Sequence, residues 1–574
     1  MPEREHSRGQ GTHLMVLGLK LRLEYLFFLL TVIILAFPTN FEYTYSTVQS
    51  IEIFGNLSLF LALMLLWVLC LGLVLIQLDI SSKNLGFLLA LSVAMVSIGF
   101  WVLRTSFPLP HSDGVENYAY ILSALKAGHL IGAGSSSMTF FVDWPAMNLL
   151  SAGLAKVSGL SIVDAMDLVV LILLFACLSF LYQVAFSLLK SAPASTLACS
   201  IFFVGSIYGQ QSVYTPQFMG LPLVLMVIWL LGPRDVSDLR RQRLLILIMV
   251  FITLSFTNDV SMLFALSSLV AFALFYGKES LARVTLPFAA MAIVMPYLYN
   301  KGLSFVVSYA TIFLQRSVLT DLSVFLSSKV GGVLPSWVSF STAFWQASFA
   351  LVAIIGLVRM VIIRKRKNHH DKFVMVFLVG TISFGLILLA AGTLFSNTFI
   401  FLAISSSILI AQLYGWLVKK RVGLALIIML FLLVMSIPTF FAYNRNTEVY
   451  KLYPRDVSMT TYLSSYFQPY SGSLLNTQED FQLPIINNDA FVANFAIAGS
   501  PTSQALWQNW NGTLNALETT NAVLVFSPRS VIPWMSLFSV SPQNPRWNYI
   551  LTTLSKSDIT YSNGFDLTYA STSK

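Results

Sequence analysis

The chain has 574 residues, of which 56% are hydrophobic and only 10% charged, and its mean hydropathy of +0.75 leaves too little polar surface to cover a water-soluble globule of this size. A soluble enzyme or soluble binding module is therefore excluded, and lipid is the expected solvent for most of the chain. The net charge of +9 does not point to nucleic acid, because the Lys and Arg residues sit in short clusters between apolar runs, with no basic, aromatic-interleaved surface to follow a phosphate backbone.

The amino terminus is polar and charged to about Glu24 and runs into an apolar segment without a small-residue cleavage site, which predicts a retained first helix. Apolar stretches near the bilayer length follow at 25–38, 57–79, 85–103, 162–189, 193–209, 214–232, 244–258, 260–276, 281–298, 343–363, 373–395, 398–418 and 422–441. The expected fold is thus an all-α polytopic membrane protein with about thirteen transmembrane helices. The segments at 193–209, 244–258 and 260–276 are short, and a re-entrant pair could replace two spans without altering the outer orientation.

Positive residues in short loops stay cytoplasmic. Arg4, Arg8, Lys20 and Arg22, the cluster Arg234, Arg240, Arg241 and Arg243, the run Arg364 to Lys367 with Lys372, and Lys419, Lys420 and Arg421 all fall on one side under thirteen spans. The amino terminus is then cytoplasmic. The loops at 39–56, 104–161 and 299–342 and everything after 442 lie outside. Cys70, Cys177 and Cys199 lie within apolar runs without metal spacing or a pairing pattern, and read as core residues.

Composition changes after the last span, dividing a transmembrane domain, 1–441, from an extracytoplasmic soluble domain, 442–574. Asn, Ser, Thr, Gln and Pro become common there. The run NAVLVF at 521–526 reads as a buried strand, and DITYSNGFDLTY at 558–569 as a hairpin turning at Asn563-Gly564, where both central positions tolerate positive φ. A small α/β domain is expected. The triplets beginning at Asn56 and Asn511 are glycosylation sequons on the outer side.

Ionisable residues beside apolar spans are costly unless used, so the outer acids carry the functional argument. The richest constellation is His111-Ser-Asp113-Gly-Val-Glu116-Asn-Tyr118-Ala-Tyr120, continuing to Lys126-Ala-Gly128-His129. A helix starting near Ser112 would bring Asp113 and Glu116 to one side, with Asp113 near an amino terminus that favours its anion. A carboxylate so placed can accept a proton from an acceptor hydroxyl. The same residues also suit an N-capping Asp and a solvated Glu.

These residues resemble the GT-C superfamily of membrane glycosyltransferases, which use polyprenyl-phosphate-linked donors on the extracytoplasmic side. The order Asp113-Gly114, Tyr118, Gly128-His129, Asp143-Trp144-Pro145 and a short helix ending in Gly, Leu154 to Gly159, is similar to the family's first outer loop. Weaker likenesses are Tyr214-Thr-Pro216-Gln217, Thr257-Asn258-Asp259 and the terminal hairpin, which is similar to the ends of archaeal multi-span members. Two spans, 25–38 and 57–79, precede the one that leads into the acidic loop, whereas members usually present that loop after the first span. The Trp-Trp-Asp signature of oligosaccharyltransferases is missing, its nearest counterpart being Trp507-Gln-Asn-Trp510. En bloc glycan transfer is therefore disfavoured, and addition of one hexose is expected.

The resemblance implies an inverting transferase that moves a sugar from a polyprenyl- or dolichyl-phosphate donor to a hydroxyl of a glycan, glycoprotein or glycolipid acceptor in the cell envelope. Asp113 is implied as general base, with Glu116 beside it. The departing lipid phosphate needs cations. Arg104, Arg316 and Lys329 are the outer cations placed to supply them, Arg316 being the better bidentate ligand. Each of the three also suits interfacial snorkelling. His129, Asp143 and Trp144, with Tyr214 and Gln217, complete the expected binding residues, although Asp143 also suits a helix cap. A divalent metal held by Asp113 and a second acid is compatible with the resemblance, but no ligand spacing demands it, and no cofactor is assigned. A lipid-linked oligosaccharide flippase and a non-catalytic envelope scaffold are the alternatives. The first would want charges in mid-span and an inverted repeat, both mostly missing here.

Overall fold

A computed structural model describes residues 145–205, 214, 216–232 and 241–276, 347–359 apart from 350, 395–432 apart from 422, isolated positions within 117–128 and 287–290, Gly380, and six short strands. This part is predominantly helical. Seven helices organise it: α1 (Ala146–Ser158), α2 (Ile162–Leu189), α3 (Ala192–Gly205), α4 (Pro216–Leu231), α5 (Arg241–Ser255), α6 (Asp259–Tyr276) and α7 (Phe395–Lys420).

The boundaries follow from local chemistry. Pro145 precedes α1, where its missing N–H costs nothing, and Gly159 ends it at φ 71, a left-handed conformation that lets its N–H reach Ala155 O. Ser161 opens α2 by accepting from the Asp164 N–H at 3.1 Å, and the Asp164 carboxylate in the first turn complements the helix dipole. The 28 residues of α2 rise roughly 42 Å, more than the roughly 30 Å of a bilayer's hydrocarbon. Its C-cap, Lys190, takes φ 54 without being glycine. Asn258 caps α6, its Oδ1 accepting from the Ser261 N–H at 3.1 Å.

Helix α2 is the hub, packed against α1, α3 and α4; α4 carries α5 and α6 on its other side, and α3 carries α7. The buried face of α2 presents Val170, Leu174, Cys177, Leu178, Leu181 and Ala185 to its neighbours. Close approach relies on small residues, as expected of helices whose outer surroundings are as apolar as their interfaces. A Cβ at Gly220 of α4 would collide with the Ser261 side chain of α6, and one at Gly356 would lie 2.9 Å from the Leu409 carbonyl of α7. Cys177 and Cys199 are free and buried, and the Cys199 thiol contacts Leu178 O at 3.7 Å across the α2–α3 interface. They are core residues, as their apolar settings predict.

The outward sides of the same helices are also apolar. Leu168, Ile172 and Phe175 on α2, Leu245, Ile246 and Met249 on α5, and Leu351, Ile354, Ile355 and Val358 on the 347–359 helix are all exposed. Among the described residues α2 is the helix long and apolar enough to cross a membrane, and the other apolar helical stretches, including 218–231, 242–255, 261–273 and 403–418, run to 10–17 residues. The break expected after 258 falls at a turn over 256–258, and α5, with 15 residues, rises only about 22 Å.

Two small sheets accompany the helices. An antiparallel hairpin, β1 (His13–Val16) and β2 (Leu19–Arg22), pairs Val16 with Leu19 around Leu17-Gly18, in a stretch for which only a charged tail was expected. The second sheet has the order β3-β4-β6-β5, with β3 (Leu474–Asn476), β4 (Val523–Phe526), β5 (Asp558–Ser562) and β6 (Leu567–Ala570). β4 falls within the NAVLVF run. The β5–β6 hairpin has a wider connection than the expected Asn563-Gly564 turn, because Ser562 pairs with Leu567 and leaves residues 563–566 between the strands, with a register shift between Ile559 and Tyr561. A two-residue turn would have paired Ser562 with Phe565.

Candidate functional site

Three segments singled out in the sequence converge at one end of the bundle: the start of α1, the residues leading into α4, and the turn between α5 and α6. The Ala146 N–H donates to Phe256 O at 3.2 Å, tying the first turn of α1 to that turn. Tyr214, just ahead of α4, is buried to 1% exposure. Its hydroxyl lies 2.6 Å from Ser151 Oγ, 3.1 Å from Met147 O and 3.3 Å from Asn148 Oδ1. A phenol has one proton, so Met147 O and Asn148 Oδ1 share it while the Ser151 hydroxyl donates to the phenolic oxygen.

The turn contributes Thr257 and Asn258, both buried. Thr257 donates to Thr253 O at 2.7 Å, and Asn258 Oδ1 receives the Ser261 hydroxyl at 3.3 Å besides the Ser261 N–H. The amide nitrogens of Asn148 and Asn258 are buried and have no hydrogen-bond partner among the described residues. An unspent buried donor costs roughly 1–3 kcal/mol, so each amide is a demand for an acceptor.

Tyr214 is thus the one expected binding residue whose side chain is described, and it ties helices together instead of opening to solvent. Gln217 lies by its backbone in the first turn of α4, its side chain being outside the described residues. Arg104, Asp113, Glu116, His129, Asp143, Trp144, Arg316 and Lys329 lie outside them too. Their immediate surroundings are partly described. Helical residues within 117–125 carry Asn117, Tyr120 and Ile121 into the interior, and the Gly128 N–H bonds Ala124 O at 3.0 Å with φ 71. Gly128 thereby closes a helical turn immediately before His129. Burial pushes the Tyr118 phenol above its ordinary value, keeping it a neutral hydroxyl.

Asn148 and Ser151 were not anticipated as a unit, although two polar residues three apart in the apolar stretch AMNLLS were a legible signal. Asp167, one turn beyond Asp164 in α2, was also missed. It is partly buried, and its Oδ1 has no hydrogen-bond partner among the described residues. Among the described residues no three His, Cys, Asp or Glu side chains gather to hold a metal. No family model matches the chain, and no curated protein matches it.

Proposed function

We propose that the protein is a multi-pass membrane glycosyltransferase that moves one sugar from a polyprenyl-phosphate donor to a hydroxyl acceptor on the extracytoplasmic face. Asp113 is the general base, Arg104 and Arg316 neutralise the leaving phosphate, and Asp143 and Trp144 face the acceptor sugar. The observation that supports this reading is the convergence of α1, Tyr214 and the 256–258 turn. These segments are far apart in sequence, each carries a piece of the resemblance, and all three lie on the outer side when basic loops are cytoplasmic. In this arrangement Tyr214 is a positioning residue: its hydroxyl holds α1, and α1 begins directly after Asp143-Trp144-Pro145.

The chemistry is a displacement at the anomeric carbon. The acceptor oxygen attacks as its proton passes to the Asp113 carboxylate, and the lipid phosphate departs with the bonding pair. The exposed apolar flanks of α2, α5 and the 347–359 helix face acyl chains, and the carboxy-terminal sheet belongs to a small extracytoplasmic α/β domain. The test is transfer from radiolabelled polyprenyl-phosphate mannose and glucose in membranes carrying wild type or Asp113→Asn. Transfer by wild type with a loss of about a hundredfold in the variant is expected. Equal transfer would remove Asp113 as base, and no transfer by wild type would reject the enzyme.

A further inference from the structure

We propose that the amides of Asn148 and Asn258 bind hydroxyl groups of the transferred sugar, an assignment that rests on the glycosyltransferase reading and deepens it. Asn148 and Asn258 are each 1% exposed, and each lies two residues beyond one end of the Ala146 N–H to Phe256 O hydrogen bond. The orientation of Asn258 is chemically determined: its capping atom receives a backbone N–H from Ser261 and must be oxygen. The group left unspent is therefore NH2, a donor. Asn148 directs its Oδ1 to the Tyr214 hydroxyl at 3.3 Å and leaves its NH2 unpaired.

What satisfies these donors must carry acceptor oxygens, and the Ala146–Phe256 hydrogen bond holds the two segments that present them side by side. A phosphate would call for charge-assisted partners, and among the described side chains here Asn148, Ser151, Tyr214, Thr257, Asn258 and Ser261 are all neutral. A neutral polyol fits better. Sugar hydroxyls both accept and donate, so they can take amide protons without importing charge into a buried setting. Pairing with such hydroxyls would also discriminate among sugars, because a hexose lacking the matching hydroxyl leaves the amides unpaired.

The test uses the purified full-length protein in detergent and measures binding of decyl phosphate, decyl-phosphate mannose and decyl-phosphate glucose. Wild type is expected to bind one of the two glycosylated lipids about tenfold more tightly than bare decyl phosphate, the size expected of one or two net hydrogen bonds. Asn258→Ser keeps an oxygen to cap α6 but removes the amide, and is expected to bring the preference to within about threefold while decyl phosphate binds as before. Asn258→Asp, which also keeps the cap, provides a second variant should the first not fold. An undiminished sugar preference in a folded variant overturns the assignment and leaves the glycosyltransferase reading standing. Loss of decyl phosphate binding together with the preference overturns it as well, marking Asn258 as purely structural. If wild type binds none of the three lipids, the glycosyltransferase reading fails first and takes this assignment with it.

Discussion

Replacing Gly220 by Ala separates two effects of opposite sign. In a helix interior Gly→Ala is normally favourable by up to about 1 kcal/mol. At Gly220, however, the new Cβ would occupy space already held by the Ser261 side chain of α6, and forcing an extra carbon into a packed interface costs roughly 1–3 kcal/mol. The net expectation for Gly220→Ala is destabilisation of about 1 kcal/mol. In a Ser261→Gly background the obstructing atoms are gone and the same substitution should become stabilising. The loss of the Ser261 hydroxyl bond to Asn258 is common to both proteins of that background and cancels in the cycle. Thermal unfolding of the four purified proteins in one detergent reads the sign directly. If Gly220→Ala stabilises both backgrounds alike, α4 and α6 do not approach at this point and the packing described is wrong.

Further outcomes follow from the caps and the buried cluster. Lys190→Gly is expected to stabilise α2 by roughly 1 kcal/mol, because φ 54 is strained for any side chain; unfolding in detergent checks it. Gly159→Ala, at φ 71, is expected to lower stability by roughly 1 kcal/mol, with Gly159→Asn closer to wild type. Tyr214→Phe leaves the Ser151, Met147 and Asn148 groups of α1 short of a partner and is expected to cost roughly 1–3 kcal/mol by the same assay, with a smaller cost in a Ser151→Ala background, where only Met147 O and Asn148 Oδ1 lose a donor. In a Cys70→Ser background, the buried Cys177 and Cys199 should resist maleimide in the folded protein and react fully after denaturation in sodium dodecyl sulfate.

Much of the helical frame was legible because long apolar runs advertise helices. The 162–189 stretch corresponds to α2 residue for residue, since Ser161 and Asp164 signal its start, Lys190 marks its end, and the polar residues between them are too few to break the apolar run. The break before Asp259 was legible for a similar reason, an Asn-Asp pair between two apolar runs. The β1–β2 hairpin was not, because a short alternation around Leu17-Gly18 competes with the signal of a polar, charged tail. Nor was the width of the β5–β6 connection, since Asn-Gly indicates a turn without fixing the cross-strand register.

For the site, sequence alone determined which residue types were available: the acids around Asp113, the Asp143-Trp144-Pro145 segment, and the polar turns at 214–217 and 257–259. Their proximity was a tertiary matter. Tyr214 stands 63 residues from Ser151 and bonds it at 2.6 Å, and no local pattern in either segment encodes that meeting, which depends on α2 packing against both α1 and α4. The same packing decided that Asn148 and Asn258 are buried with their amides unspent. Sequence reveals a donor; only the fold, by excluding water from it, makes that donor costly to leave unpaired.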